Sequence, residues 1–101
     1  MEKNKTYKIL TCCGCGNGTC QVLAMVVKRV CAKLNMNAKV EPAAVSVGIA
    51  QGVNYDIIIC NRGLANSFQK AKDNGTIVIG LINIMSEEEI IEKLNASLQN
   101  R

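Results

Sequence analysis

Short apolar runs alternate with amphipathic stretches along this chain of 101 residues, and that alternation leaves few folds open. Tyr7 to Cys13 (YKILTCC) reads as a first strand ended by glycines. From about Thr19 to Asn35 the apolar residues Leu23, Val26, Val27, Val30, Cys31 and Leu34 recur at helical spacing, which leaves Lys28, Arg29 and Lys33 for solvent. Ala38 to Ala43 reads as a second strand, with Pro42 restricting it to an edge or to its last residues. Ser46 to Val53 reads as a short helix interrupted by Gly48 and Gly52.

Asp56 to Cys60 (DIIIC) is a continuous apolar run, as expected of a strand covered on both faces. Leu64 to Lys72 is weakly helical, and Asn74-Gly75 signals a turn. Thr76 to Leu81 (TIVIGL) is the fourth strand. Ser86-Glu87-Glu88-Glu89 is a capping box in which Ser86 caps and Glu89 reaches back. It opens a last helix to about Leu98, with Ile90, Ile91, Leu94 and Leu98 on the inner face.

Strands alternating with helices imply parallel pairing through right-handed crossovers. The expected fold is therefore α/β: a three-layer sandwich with a four-stranded parallel sheet in the order 2-1-3-4 and helices on both faces. Residues 1–101 make one domain, as the length suggests. Hydrophobic residues amount to 49% but aromatics to only 3%, so the core is aliphatic.

In such sheets, ligands bind at the carboxyl ends of the strands. There stands the segment Cys13-Gly14-Cys15-Gly16-Asn17-Gly18-Thr19-Cys20. Its glycines permit tight turning and let several amides converge, and the following helix adds its N-terminal amides and positive dipole end. Together they make a phosphate-sized anion site to which Gly14, Cys15, Gly16, Asn17, Gly18 and Cys20 contribute and Thr19 adds a hydroxyl. The same amides favour a thiolate at Cys13, where sulfur could attack phosphorus in line.

Other chemistries fit the segment less well. A nucleotide P-loop ends in Gly-Lys-Ser/Thr, and Gly18-Thr19-Cys20 has no lysine. A dinucleotide fingerprint needs glycine where Thr19 stands, and Glu41 reads as a solvated charge near a strand end. Zinc is not expected: the chain has no His and no paired C-x-x-C knuckles. Cys31 and Cys60 lie in apolar surroundings and read as small buried hydrophobes. The formal charge of +4 suits an acidic or phosphorylated partner, whereas scattered basic residues with few aromatics do not suit nucleic acid.

Two rival reactions remain open at this level. A thiol oxidoreductase would use Cys13-Gly14-Cys15, although this is C-x-C rather than C-x-x-C. A low-molecular-weight cysteine phosphatase would share the strand–loop–helix but needs an arginine where Thr19 stands, and Asp56 is only a remote candidate for its general acid. Without that arginine the site should accept a phosphoryl group and keep it until an acceptor arrives.

The stretches Ile9-Leu10-Thr11-Cys12-Cys13-Gly14-Cys15-Gly16-Asn17-Gly18-Thr19-Cys20, Tyr55-Asp56-Ile57-Ile58-Ile59 and Gly80-Leu81-Ile82-Asn83-Ile84-Met85-Ser86 resemble the IIB component of the bacterial phosphoenolpyruvate-dependent sugar phosphotransferase system, ascorbate/galactitol type. The resemblance implies a phosphotransferase in which Cys13 takes a phosphoryl group from a phosphohistidine on the IIA component. It implies delivery to a sugar bound by the membrane component IIC, with a covalent phosphocysteine and no cofactor. Where the family usually has Ser or Thr, this chain has Cys20, a weaker donor. Cys12 should turn into the core while Cys13 meets the loop, because adjacent strand residues point to opposite faces. Oxidation joining Cys13 to Cys15 or Cys20 would silence transfer. Arg62, just past the third strand, should lie near the same sheet edge as a solvated loop residue.

No segment approaches the roughly 20 apolar residues of a membrane span, and the polar start Met1 to Lys8 is unlike a secretory signal. The expected location is cytoplasmic, peripheral to the membrane through IIC.

Overall fold

In the computed structural model, residues 6–12, 17–35, 37–83 and 86–99 are described. Tyr7–Cys12 forms β1, Ala38–Ala43 β2, Ile57–Asn61 β3 and Ile77–Leu81 β4. All pair in parallel in the order β2-β1-β3-β4, as the alternation predicts. β1 and β3 are central and correspondingly apolar. Every residue of β1 except Lys8 is buried, as are the first four residues of β3. Pro42 lies on β2, an edge strand, where the missing N–H faces no neighbouring strand.

Helices cover both faces. On one, α1 (Asn17–Lys33) and α4 (Glu87–Gln99) bring Leu23, Val27, Val30, Ile90 and Leu94 against Ile9, Ile57, Ile59 and Leu81. On the other, α2 (Val45–Gln51) and α3 (Gln69–Asp73) cover Leu10, Cys12, Ile58 and Cys60, with Phe68 and Ala71 buried among them. β1 feeds both cores by strict alternation: Tyr7 and Ile9 to the first, Leu10 and Cys12 to the second.

Helix α1 begins at Asn17, two residues before the expected start, and ends at Lys33. Asn35 follows in the left-handed region (φ 56) with its N–H bonded to the Ala32 carbonyl, an asparagine closing the helix end. The third helical stretch divides into a 3-10 segment over Arg62–Phe68 and the single turn and a half of α3. The Asn74-Gly75 turn follows, with Gly75 at φ 98.

Of the two glycines in the second helix, Gly48 does not interrupt it, whereas the α-helix ends at Gly52. α2 passes through Gly48 and continues as a 3-10 turn over Gly52–Asn54. A Cβ on Gly48 would stand 2.6 Å from Phe68 Cε1 and 2.7 Å from Cys12 Sγ. That glycine is an approach point, letting the helix axis come close to the sheet and the Phe68 ring.

The cap of α4 also departs from the expected box in one respect. Ser86 Oγ accepts the Glu89 N–H at 3.2 Å, as anticipated. The Glu89 carboxylate, however, reaches past Ser86 and accepts the amides of Ile82 (2.8 Å) and Asn83 (2.9 Å). The Ser86 N–H turns to the Asn83 carbonyl at 3.0 Å instead.

Candidate functional site: the carboxyl edge of the central strand

Within the ladder, β1 stops at Cys12, which lies level with Ala43 on one side and Cys60 on the other. α1 starts at Asn17. The intervening Cys13, Gly14, Cys15 and Gly16 lie outside the described residues. The chain thus leaves the carboxyl end of a central strand and enters a helix of 17 residues within a few residues. Asn17, Gly18, Thr19 and Cys20 form the first turn of α1, whose amides have no acceptor within the helix. No acidic residue occupies that turn, so nothing in it offsets the positive pole.

Cys12 is fully buried, as the alternation of strand faces predicts. Its thiol donates weakly to the Ala44 carbonyl at 3.8 Å. Cys31 and Cys60 are buried too, and burial pushes both thiols up to about 11, far from a reactive thiolate at neutral pH. Both behave as the small hydrophobes expected.

Arg62 is exposed and directly follows β3, on the carboxyl side of the sheet. Asp56 is at the other end. Its carboxylate accepts the Lys8 N–H at 2.9 Å, and its own N–H donates to the Lys8 carbonyl. It precedes Cys60, the register partner of Cys12, by four residues, or roughly 13 Å along a strand at about 3.3 Å per residue. A general acid for a phosphate ester at the β1–α1 loop cannot come from there, which removes a part that a phosphatase needs.

Glu41 stands near the end of β2 and is still partly open to solvent, as expected, but it is also engaged. It is half-buried, accepts the Tyr55 hydroxyl at 2.9 Å and lies 3.6 Å from Lys39 Nζ. The hydrogen bond to Glu41 raises the Tyr55 pKa, with burial and the carboxylate charge adding to it. This group lines a pocket of about 180 Å³ with Lys8, Gln51 and Asn54, towards the end of β1 remote from Cys12.

At the carboxyl edge of β4, sequence reasoning missed one fixed loop. The Glu89 carboxylate gathers the Lys93 ammonium (2.8 Å) together with the two loop amides, and Lys93 also donates to the Gly80 carbonyl at 2.6 Å. The Lys93 hydrogen bond, then the amides, hold the Glu89 carboxyl at about 2. The signal was the Glu89/Lys93 spacing of four on a helix that directly follows a strand.

Residues 8–96 match the family model described as "PTS system, Lactose/Cellobiose specific IIB subunit". The chain belongs to the IIB family of the sugar phosphotransferase system. The ascorbate-specific PTS system EIIB component of Mycoplasma pneumoniae is 35% identical over 101 residues, spanning 95% of this chain and 99% of that protein. The lactose-specific IIB domain from the phosphoenolpyruvate:carbohydrate phosphotransferase system of Streptococcus pneumoniae shares the fold, with a TM-score of 0.65. It covers 94% of this chain and 97% of that one at 18% identity. As a IIB component the chain is a phosphoryl carrier and a phosphotransferase of sugar uptake, and neither the phosphatase nor the oxidoreductase reading is favoured. Among the described residues, no helix is long and apolar enough to cross a membrane.

Proposed function

We propose that Cys13 is the residue that carries the phosphoryl group, receiving it from a phosphohistidine on a IIA partner and giving it to a sugar bound by a membrane IIC partner. The observation that carries this reading is that α1 opens at Asn17, four residues after Cys13, at the carboxyl edge of a central strand. The Cys13 thiolate attacks phosphorus, the S–P bond forms as the N–P bond of the donor breaks, and the imidazole leaves. In the second step a sugar hydroxyl attacks the same phosphorus, the S–P bond breaks, the thiolate is restored and the hydroxyl proton passes to solvent or a base on the partner. The backbone amides from Gly14 to Cys20, with the Thr19 hydroxyl, hold the three phosphoryl oxygens during both steps. No cofactor enters, since the intermediate is the phosphocysteine itself. The carrier acts at the cytoplasmic face, held there by IIC.

The second half of the pathway is proposed to deliver to ascorbate, because the M. pneumoniae relative bears that specificity. The test is intact mass after incubation with phosphoenolpyruvate, the general phosphotransfer proteins and a IIA partner. One added phosphoryl group is expected on the chain and none on Cys13→Ser. Phosphorylation that survives in Cys13→Ser would overturn the assignment.

A further inference from the structure

Cys12 is the residue to which Cys13 is bonded, and its side chain is more closely held than a strand end requires. Its backbone is paired on both sides, with Ala43 and with Cys60. Its sulfur is fully buried beneath α2, donates to the carbonyl of Ala44, the residue that caps that helix, and fills the space that a Cβ on Gly48 would enter at 2.7 Å. Phe68 borders the same point, 2.6 Å from that Cβ position. Sulfur, glycine and ring therefore interlock where β1 gives way to the loop.

We propose that Cys12 is a positioning residue for phosphoryl transfer: its buried thiol fixes the end of β1 against α2, and with it the point from which the Cys13 loop departs. The proposal rests on Cys13 being the phosphorylated residue. The physical ground is that in-line transfer tolerates little displacement of the attacking atom, a shift of about 1 Å being enough to cost up to about a hundredfold in rate. An alanine at position 12 removes the sulfur that spaces β1 from α2, and close-packed surroundings move to fill such a gap. Serine keeps a side-chain atom and a donor at the same position, though its shorter bond holds the oxygen farther from that carbonyl.

The sheet provides its own control. Cys60 is the register partner of Cys12, lies on the same face, is equally buried, and likewise donates to a backbone carbonyl, that of Ile79 at 3.6 Å. It differs in not being bonded to the carrier loop. Full-length Cys12→Ala, Cys12→Ser and Cys60→Ala are compared by the rate of phosphoryl uptake from the donor. The second readout is the pH dependence of iodoacetamide alkylation at Cys13, mapped by peptide mass.

Cys12→Ala should take up one phosphoryl group at least about tenfold more slowly and shift the alkylation profile. Cys12→Ser should be slowed less than Cys12→Ala, since it retains part of the volume and a donor. Cys60→Ala should match the parent in both readouts while losing a similar amount of melting temperature. Parent-like behaviour of Cys12→Ala, or equal slowing in Cys60→Ala, would overturn the proposal. Should Cys12→Ala not fold, Gly48→Ala crowds the same sulfur from above and is read against Gly52→Ala, which crowds Ile58 Cδ1 at 2.6 Å instead. Slowing in the first alone supports the role, and equal rates refute it. Absence of any phosphorylation of the parent would strike the reading of Cys13, and the alkylation profile would still decide whether Cys12 positions it.

Discussion

Glu89 shows how much one side chain can organise at the edge of a parallel sheet. A carboxylate that collects an ammonium and two amides is stabilised as the anion, and its pKa of about 2 lies below the ordinary 4.5. A depressed folded-state pKa contributes stability that is complete above about 4.5 and is lost as the pH falls towards 2. Urea midpoints measured across that range should therefore decline, and Glu89→Gln should flatten the decline. Glu89→Ala at neutral pH should cost about 1 kcal/mol, the low end for a lost charged acceptor because water can reach the freed amides. An unchanged acid limb in Glu89→Gln would assign the decline to other carboxylates. The capping box was legible because Ser, Glu and their spacing state the local geometry. The further reach of Glu89 was not, since it depends on where the amides of Ile82 and Asn83 lie after β4.

At the scale of elements, the strands, the long helices and the short second helix were all legible, and the close approach of that second helix to the sheet was not. DIIIC proved a strand covered on both faces and TIVIGL an edge strand half-buried at Ile77, Val78 and Gly80, and α1 repeats its apolar face along its length. In α2 the glycines suggested interruption, because sequence gives only their weak intrinsic helix propensity. The structure assigns Gly48 a tertiary role that overrides propensity, since contact with Phe68 and Cys12 leaves no room for a side chain. Gly48→Ala, favourable in an isolated helix, should here destabilise the fold by about 1–3 kcal/mol through overpacking. Chemical denaturation will measure it, and a neutral or stabilising result would mean that α2 can lift without loss. Of the candidate site, the opening of a helix directly after the glycine-rich segment was legible as a motif. The buried support of Cys12 was not, because Gly48 and Phe68 lie far from it in sequence and meet it only across the sheet.

For the molecule as a whole, the formal charge of +4 bears on encounter rather than on fold. Lys28, Arg29 and Lys33 project from the exposed side of the same helix whose first turn follows Cys13. Lys33 is partly engaged, 2.7 Å from Glu87, an exposed pairing of small energetic consequence. A phosphorylated donor carries negative charge, so the second-order rate of phosphoryl uptake should fall several-fold between low and physiological ionic strength. Stopped-flow or quenched transfer across a salt series will show it. A rate independent of salt would mean that the donor meets a surface without net field.

The placing of Pro42 matters most when many copies of the chain are crowded together. A parallel sheet of four strands has two free margins, and each exposes amides and carbonyls that another chain could recruit. On β2 one of those amides is missing at Pro42, and the exposed Lys39 adds charge to the same strand. Edge-to-edge joining of one sheet with the next is thereby discouraged at that margin.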